Sequence, residues 1–203
     1  MATDPMGLVP ENSEGREITA KACVEYSNEG EARKFFQIAR QRLFEVNNWG
    51  EIAGKLSADF QLTDEGGKEV KRFVKKNDHL KIGITGPGSK AGNGYDWVRV
   101  EDIKEIHSAD VDAAGILVRP DSDPQTSNPS IAHFYSEKST STFVVSREKN
   151  KVTACIYDRN IETNEETTES ADKVRNAAIG LVAKFGFSKL NWKALAEALI
   201  SNR

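Results

Sequence analysis

Residues 56–84 read LSADFQLTDEGGKEVKRFVKKNDHLKIGI. Leu56, Ala58, Phe60 and Leu62 alternate with Ser57, Asp59, Gln61 and Thr63, the period of a strand with one buried face. Asp64-Glu65-Gly66-Gly67 has turn chemistry, and Lys68–Val74 is predicted to return as a second strand. Lys75-Lys76-Asn77-Asp78 turns again into Leu80, Ile82 and Ile84. Connections this short cannot hold a crossover helix, so consecutive strands must pair antiparallel.

Outward from this meander the pattern changes. Upstream, Ile18, Ala20, Ala22, Val24 and Tyr26 alternate with Thr19, Lys21, Cys23 and Glu25, a half-buried strand. Asn28 followed by Glu31 is a capping-box start. Phe35, Phe36, Ala39, Leu43 and Val46 then recur at helical spacing, with Trp49 and Ile52 extending the apolar face past Asn47-Asn48. Downstream, strands are predicted over Tyr95–Ile103, Ala114–Arg119, Ile131–Tyr135, Thr140–Arg147 and Lys151–Tyr157, the last two joined at Glu148-Lys149-Asn150. Ala171, Val174, Ala178, Leu181, Val182 and Phe185 mark a long amphipathic helix that Gly186 is expected to end. Ser188 is expected to cap a further helix with Trp192, Leu195 and Leu199 on one face. The fold class is α+β: a strongly curved antiparallel sheet of seven to nine strands gripped by a long C-terminal helix, plus an N-terminal and an extra terminal helix. Residues 17–203 read as one domain, and residues 1–16, polar with Pro5, Pro10 and Gly15, as a disordered leader.

Composition narrows function by exclusion. The formal net charge is −3, which lacks the basic excess that phosphate binding uses, so nucleic acid is disfavoured. No apolar run reaches the length of a membrane span. Two widely separated cysteines, Cys23 and Cys155, form neither a disulfide framework nor a metal site and suit a reducing, cytoplasmic interior. His79, His107 and His133 show no metal spacing. Asp110, Asp112, Asp121 and Asp123 lack the glycine and distal acid of a calcium loop. The Gly86–Gly94 loop lacks a Gly-Lys-Ser/Thr and runs into a strand, so it reads as a flexible hairpin loop or a cavity lip. No metal, cofactor or catalytic nucleophile is expected.

The order strand Ile18–Tyr26, helix, Trp49, antiparallel run and apolar helix Ala171–Phe185 resembles the START-like helix-grip (SRPBCC) superfamily. The resemblance spans roughly residues 17–186 and rests on element order. It implies a small apolar or amphipathic ligand held between sheet and helix, as a carrier or as an enzyme. It also implies that the first strand lies beside the last, which would bring Cys23 and Cys155 within about 10 Å on adjacent strands.

On that frame the expected polar anchors are His133, whose imidazole titrates near neutrality, and Arg119 and Arg159, whose forked donors suit a carboxylate or phosphate. The expected walls are Trp97, Phe143 and Phe185. Two rival readings stand beside small-molecule binding. One is an enzyme of this shape with His133 or Asp96 as the proton-transfer group. The other is an interaction protein, or homodimer, docking through Trp192, Leu195 and Leu199, which would then be exposed.

Overall fold

The structure is a computed structural model that describes residues 4–54, 58–84, 89–164 and 181–202, with backbone alone for Ile84 and residues 181–188. Its elements run β1 (Arg16–Glu25), α1 (Glu29–Phe44), a 3-10 turn (Val46–Asn48), α2 (Trp49–Ile52), β2 (Ala58–Thr63), β3 (His79–Ile84), β4 (Asp96–His107), β5 (Val111–Pro120), β6 (Thr140–Glu148), β7 (Lys151–Ile161) and α3 (Leu181–Leu199). The strands form one seven-stranded sheet in the order β1-β7-β6-β5-β4-β3-β2. Every pairing is antiparallel.

The sheet's curvature can be read from one side chain. Trp192 of α3 donates its indole Nε1–H to Asp158 on β7, while its ring lies 6.2 Å from that of Phe60 on β2. In sheet order those strands are five spacings apart, roughly 24 Å if the sheet were flat. A single indole reaches both only because the sheet curls around it. Register irregularities between Val100 and Asp102 on β4, and between Arg16 and Ile18 on β1, add local bends.

The concave face holds the main core. Val152, Ala154 and Ile156 of β7 point inward with Phe143 and Val145 of β6 and Ala114, Ile116 and Val118 of β5. Against them pack Ala32, Phe35, Phe36, Ala39 and Leu43 of α1, Trp49, and Leu195, Ala196 and Leu199 of α3. Helix α1 starts as the sequence implies: the Asn28 side chain accepts the Glu31 backbone N–H at 2.9 Å. Trp49 is fixed by its Nε1–H, which donates to the Arg42 and Leu43 carbonyls at the end of α1. Arg42 in turn donates to the carbonyls of Ala198, Leu199 and Ser201, so α1 caps the C-terminus of α3.

Four expectations need correction. Lys68–Val74 is not a strand and makes a single bridge, Thr63 to Glu69. Two backbone bonds tie it to β2 and its end, Val70 N–H to the Leu62 carbonyl and Asp64 N–H to the Lys68 carbonyl, and Asn47 interrupts any longer ladder by accepting from the Leu62 N–H and donating to the Val70 carbonyl. Ile131–Tyr135 is likewise no strand. The Asn164 side chain donates to the Ile131 and His133 carbonyls, the His133 ring takes the Tyr135 N–H, and one bridge remains, Tyr135 to Thr163. Helix α3 does not end at Gly186 but runs through it to Leu199, so the separate final helix does not exist. The expected stretch 171–180 lies outside the described residues. Finally, the leader expected to be disordered is described from Asp4 onward and runs along the convex face. Leu8 is buried, and Met6 and Val9 pack on Val144, Cys155 and Tyr157.

The order itself brings β1 beside β7. Cys23 opposes Thr153 and Cys155 opposes Lys21, so the two thiols are diagonal neighbours on the convex face. Such diagonals lie about 7–8 Å apart.

Candidate functional site

Between the concave sheet and α3 lies a cavity of about 50 Å³. Its walls are aromatic and aliphatic: Trp49, Phe60, Leu80, Val118, Phe143 and Trp192 are among them. The rings touch one another. Trp49 lies 4.7 Å from Phe143 and 5.4 Å from Phe60, and Trp192 meets Phe143 edge-on at 5.3 Å. The polar lining includes Ser141, His133 and Asn191.

Strand alternation places each wall. On β6, Phe143 and Val145 face inward, so Ser141 does too. On β7, Ala154 and Ile156 face inward, so Asp158 does too. Ser141 and Asp158 are direct partners across the β6–β7 ladder. The Ser141 hydroxyl donates to Asp158 Oδ1 at 2.7 Å, and Trp192 Nε1–H donates to Asp158 Oδ2 at 2.7 Å. Asp158 is 1 % exposed, and burial pushes its carboxyl up to about 6 against the pull of those two hydrogen bonds and of Arg159. Ser141 has committed its proton to Asp158 and therefore turns oxygen lone pairs, not a donor, toward the cavity.

The expected site residues separate into three groups. His133 and Phe143 both line the cavity. The His133 Nδ1 accepts the Tyr135 N–H at 2.9 Å, which leaves the neutral ring's proton on Nε2, and the ring stacks on Phe134 at 4.5 Å. Arg119, Arg159 and Trp97 do not line it. Arg119 bonds Glu101 and the carbonyls of Glu137 and Lys138. Arg159 donates to the Ile18 and Asp158 carbonyls and to the Thr19 hydroxyl, and lies over the Tyr157 ring. Trp97 is buried in a separate cluster with Ala91 and Ala132. All three carry odd numbers on strands whose inward residues there are even-numbered, so alternation turns them to the convex face. The Phe185 side chain falls outside the described residues. Asp96 is fully buried at the start of β4 but does not line the cavity. Leu195 and Leu199 are buried and Trp192 half-buried, so the exposed docking face of the interaction reading is absent.

Asp158 is the group that the sequence reading missed as an inward anchor. A signal for it exists: Ser141 and Asp158 are polar residues at positions where the β6 and β7 alternation calls for apolar ones. Among the described residues no cluster of His, Cys, Asp and Glu could hold a metal, and no helix is long and apolar enough to cross a membrane.

No family model and no curated protein matches the chain. Solved structures do. A hypothetical protein, jhp0584, from Helicobacter pylori is 9% identical with a TM-score of 0.50, over 97% of this chain and 92% of that one. That likeness concerns the fold. Looser overlaps include truncated norcoclaurine synthase from Thalictrum flavum, 6% identical at a TM-score of 0.38 over 96% of this chain and all of that one. Ara h 8.0201 is 11% identical at 0.36, over 92% of this chain and all of that one. By its own topology the chain has an α+β architecture consistent with a helix grip, a curled antiparallel sheet with a C-terminal helix laid across its concave face.

Proposed function

We propose that this protein binds a small apolar or amphipathic molecule between its concave sheet and α3, in a reducing compartment such as the cytoplasm. One observation carries the reading: an aromatic-walled cavity survives in that position, with a few polar groups converging on it. A filled core would have closed the space, because protein interiors pack to crystal density. The cavity's 50 Å³ admits a few water molecules, whereas ligand sites span about 300–1,000 Å³. Occupancy therefore requires an outward shift of Trp192 and the α3 turn that carries it. Burial of ligand surface drives binding at roughly 25 cal/mol per Å² before ordering costs.

The test uses the purified chain. Native mass spectrometry should find a small molecule retained, and 1-anilinonaphthalene-8-sulfonate should bind the folded protein with enhanced fluorescence. Val118→Trp, which fills the cavity from β5, should abolish both while leaving the far-ultraviolet circular dichroism unchanged. Unaltered probe binding by a folded Val118→Trp protein would place the ligand elsewhere and remove this reading.

A further inference from the structure

Trp192 partly fills the space that it lines. Its ring stands edge-on to Phe143, near Phe60, and its N–H ends on the buried carboxylate of Asp158. Asp158 is held on its inward side by two neutral donors, Ser141 and Trp192. The nearest cation in sequence, Arg159, bonds the β1 backbone and lies over Tyr157, whose ring belongs to the convex cluster. An amide or a backbone carbonyl would accept an indole N–H without the desolvation cost of a buried ion. A carboxylate here is a stronger acceptor than a structural hook needs, and both of its donors, Ser141 and Trp192, line the unfilled volume, so Asp158 lies one hydrogen bond behind the cavity wall. Trp192 itself is half-buried and rides on a helix rather than on the sheet, so it can leave while the acceptor stays.

We propose that Trp192 is a built-in occupant of a recognition site formed by Phe60, Phe143 and Trp49 with Asp158 at its end, and that the ligand is a planar aromatic molecule carrying one N–H or O–H donor. The ligand displaces the indole and gives its own donor to Asp158, with Ser141 completing the acceptor. This rests on the cavity-binding reading above and specifies the chemistry of that same site. Recognition follows a general asymmetry: a site built around a buried acceptor discriminates strongly against an isostere that lacks the donor.

The probes are indole and benzofuran, which share a shape and differ in the N–H. Titration calorimetry on the full chain should show indole binding about 10- to 100-fold tighter than benzofuran, the range of a hydrogen bond to a charged group. In the Nε1-labelled protein, one of the three tryptophan indole signals should move toward its solvent-exposed position as unlabelled indole is added. Trp192→Ala should bind indole more tightly than the unaltered protein, since no occupant must leave. Adding Asp158→Leu should erase the preference. Should Trp192→Ala fail to fold, the two probes on the unaltered protein still decide. Equal binding of both overturns the donor requirement while leaving an apolar ligand site standing. Binding of neither, with 1-anilinonaphthalene-8-sulfonate still bound, overturns the planar donor-bearing ligand alone; loss of all three overturns the cavity reading too. An unmoved Trp192 signal on indole binding removes the displacement.

Discussion

Asp158 is a residue whose cost and use can be separated by titration. Its folded carboxyl titrates at about 6 against an ordinary 3.8, so the folded chain holds its proton more tightly than the unfolded chain does. The cost to stability is therefore fully present above pH 6, shrinks as pH falls from 6 toward 4, and is gone below the unfolded value. A shift of about two units corresponds to about 3 kcal/mol. Asp158→Asn keeps an acceptor for Trp192 and can donate to Ser141, without the buried charge. It should raise the unfolding free energy by about 1–3 kcal/mol at pH 7.5, with the gain vanishing near pH 4. Urea denaturation at both pH values measures it, and a gain of equal size at pH 4 would mean that charge is not the cause. Asp112 shows the opposite sign. Burial raises its carboxyl, but bonds from Arg147 and His107 outweigh that and hold it below the ordinary range. Its contribution is present above the unfolded value and is lost as pH falls through the lowered folded one. Arg147 is 0 % exposed, so Arg147→Ala strands a buried carboxylate and should cost about 3–5 kcal/mol in the same denaturation assay at pH 7.5.

Elements built on local pattern were legible in the sequence, and those set by distant side chains were not. The Asn28 cap, the α1 stripe and the β6–β7 hairpin follow from spacing alone, because their partners lie within a few residues. Phe143 was readable as an inward residue for the same reason. Lys68–Val74 and Ile131–Tyr135 have strand-like patterns, yet each makes only a few backbone bonds to its neighbours, and the side chains of Asn47 and Asn164 take up further backbone groups there instead of a continued ladder. No window of sequence contains both partners of those side-chain bonds. Residue type alone points Arg119, Arg159 and Trp97 to the cavity, while strand parity, equally present in the sequence, turns them outward. Gly186 has the chemistry of a helix stop, but packing of Leu195, Ala196 and Leu199 on the core carries α3 past it. The same logic identifies what holds α3 in place. Arg42→Ala removes the donors to three carbonyls at its C-terminus and should cost about 1–3 kcal/mol. Amide hydrogen exchange should rise first in residues 195–201. If protection there is unchanged, the clamp is not what seats the helix.

At the scale of the molecule, the sheet carries apolar side chains on both faces, and each face has its own cover. Helices close the concave side. On the convex side the cover is the segment 4–15, whose sequence has no periodicity because it makes no regular element. Its order comes from the surface beneath it. Gly115 on β5 leaves a gap that Met6 and Leu8 fill; a Cβ there would stand 2.7 Å from both side chains. Lys104 donates to the Met6 and Gly7 carbonyls. Asn160, at a φ of 52°, aims its side chain back to accept the Ser13 and Glu14 N–H groups and to donate to the Glu11 carbonyl. Underneath lies Cys155, whose thiol burial pushes up out of its ordinary range, while Cys23 on the neighbouring strand is exposed. The two thiols therefore report the state of this cover. In the full chain iodoacetamide should label Cys23 quickly and Cys155 slowly, at the rate of local opening. Removing residues 1–12 uncovers Val144, Cys155 and Tyr157 together. The truncated chain should lose about 2–4 kcal/mol, the worth of burying Leu8 and part of Met6 and Val9, and should take up two labels at comparable rates. Peptide mass mapping of the labelled cysteines over time distinguishes the outcomes. Slow labelling of Cys155 in the truncated chain would show that β1 and β7 shield it unaided, and that the segment covers the sheet without guarding it.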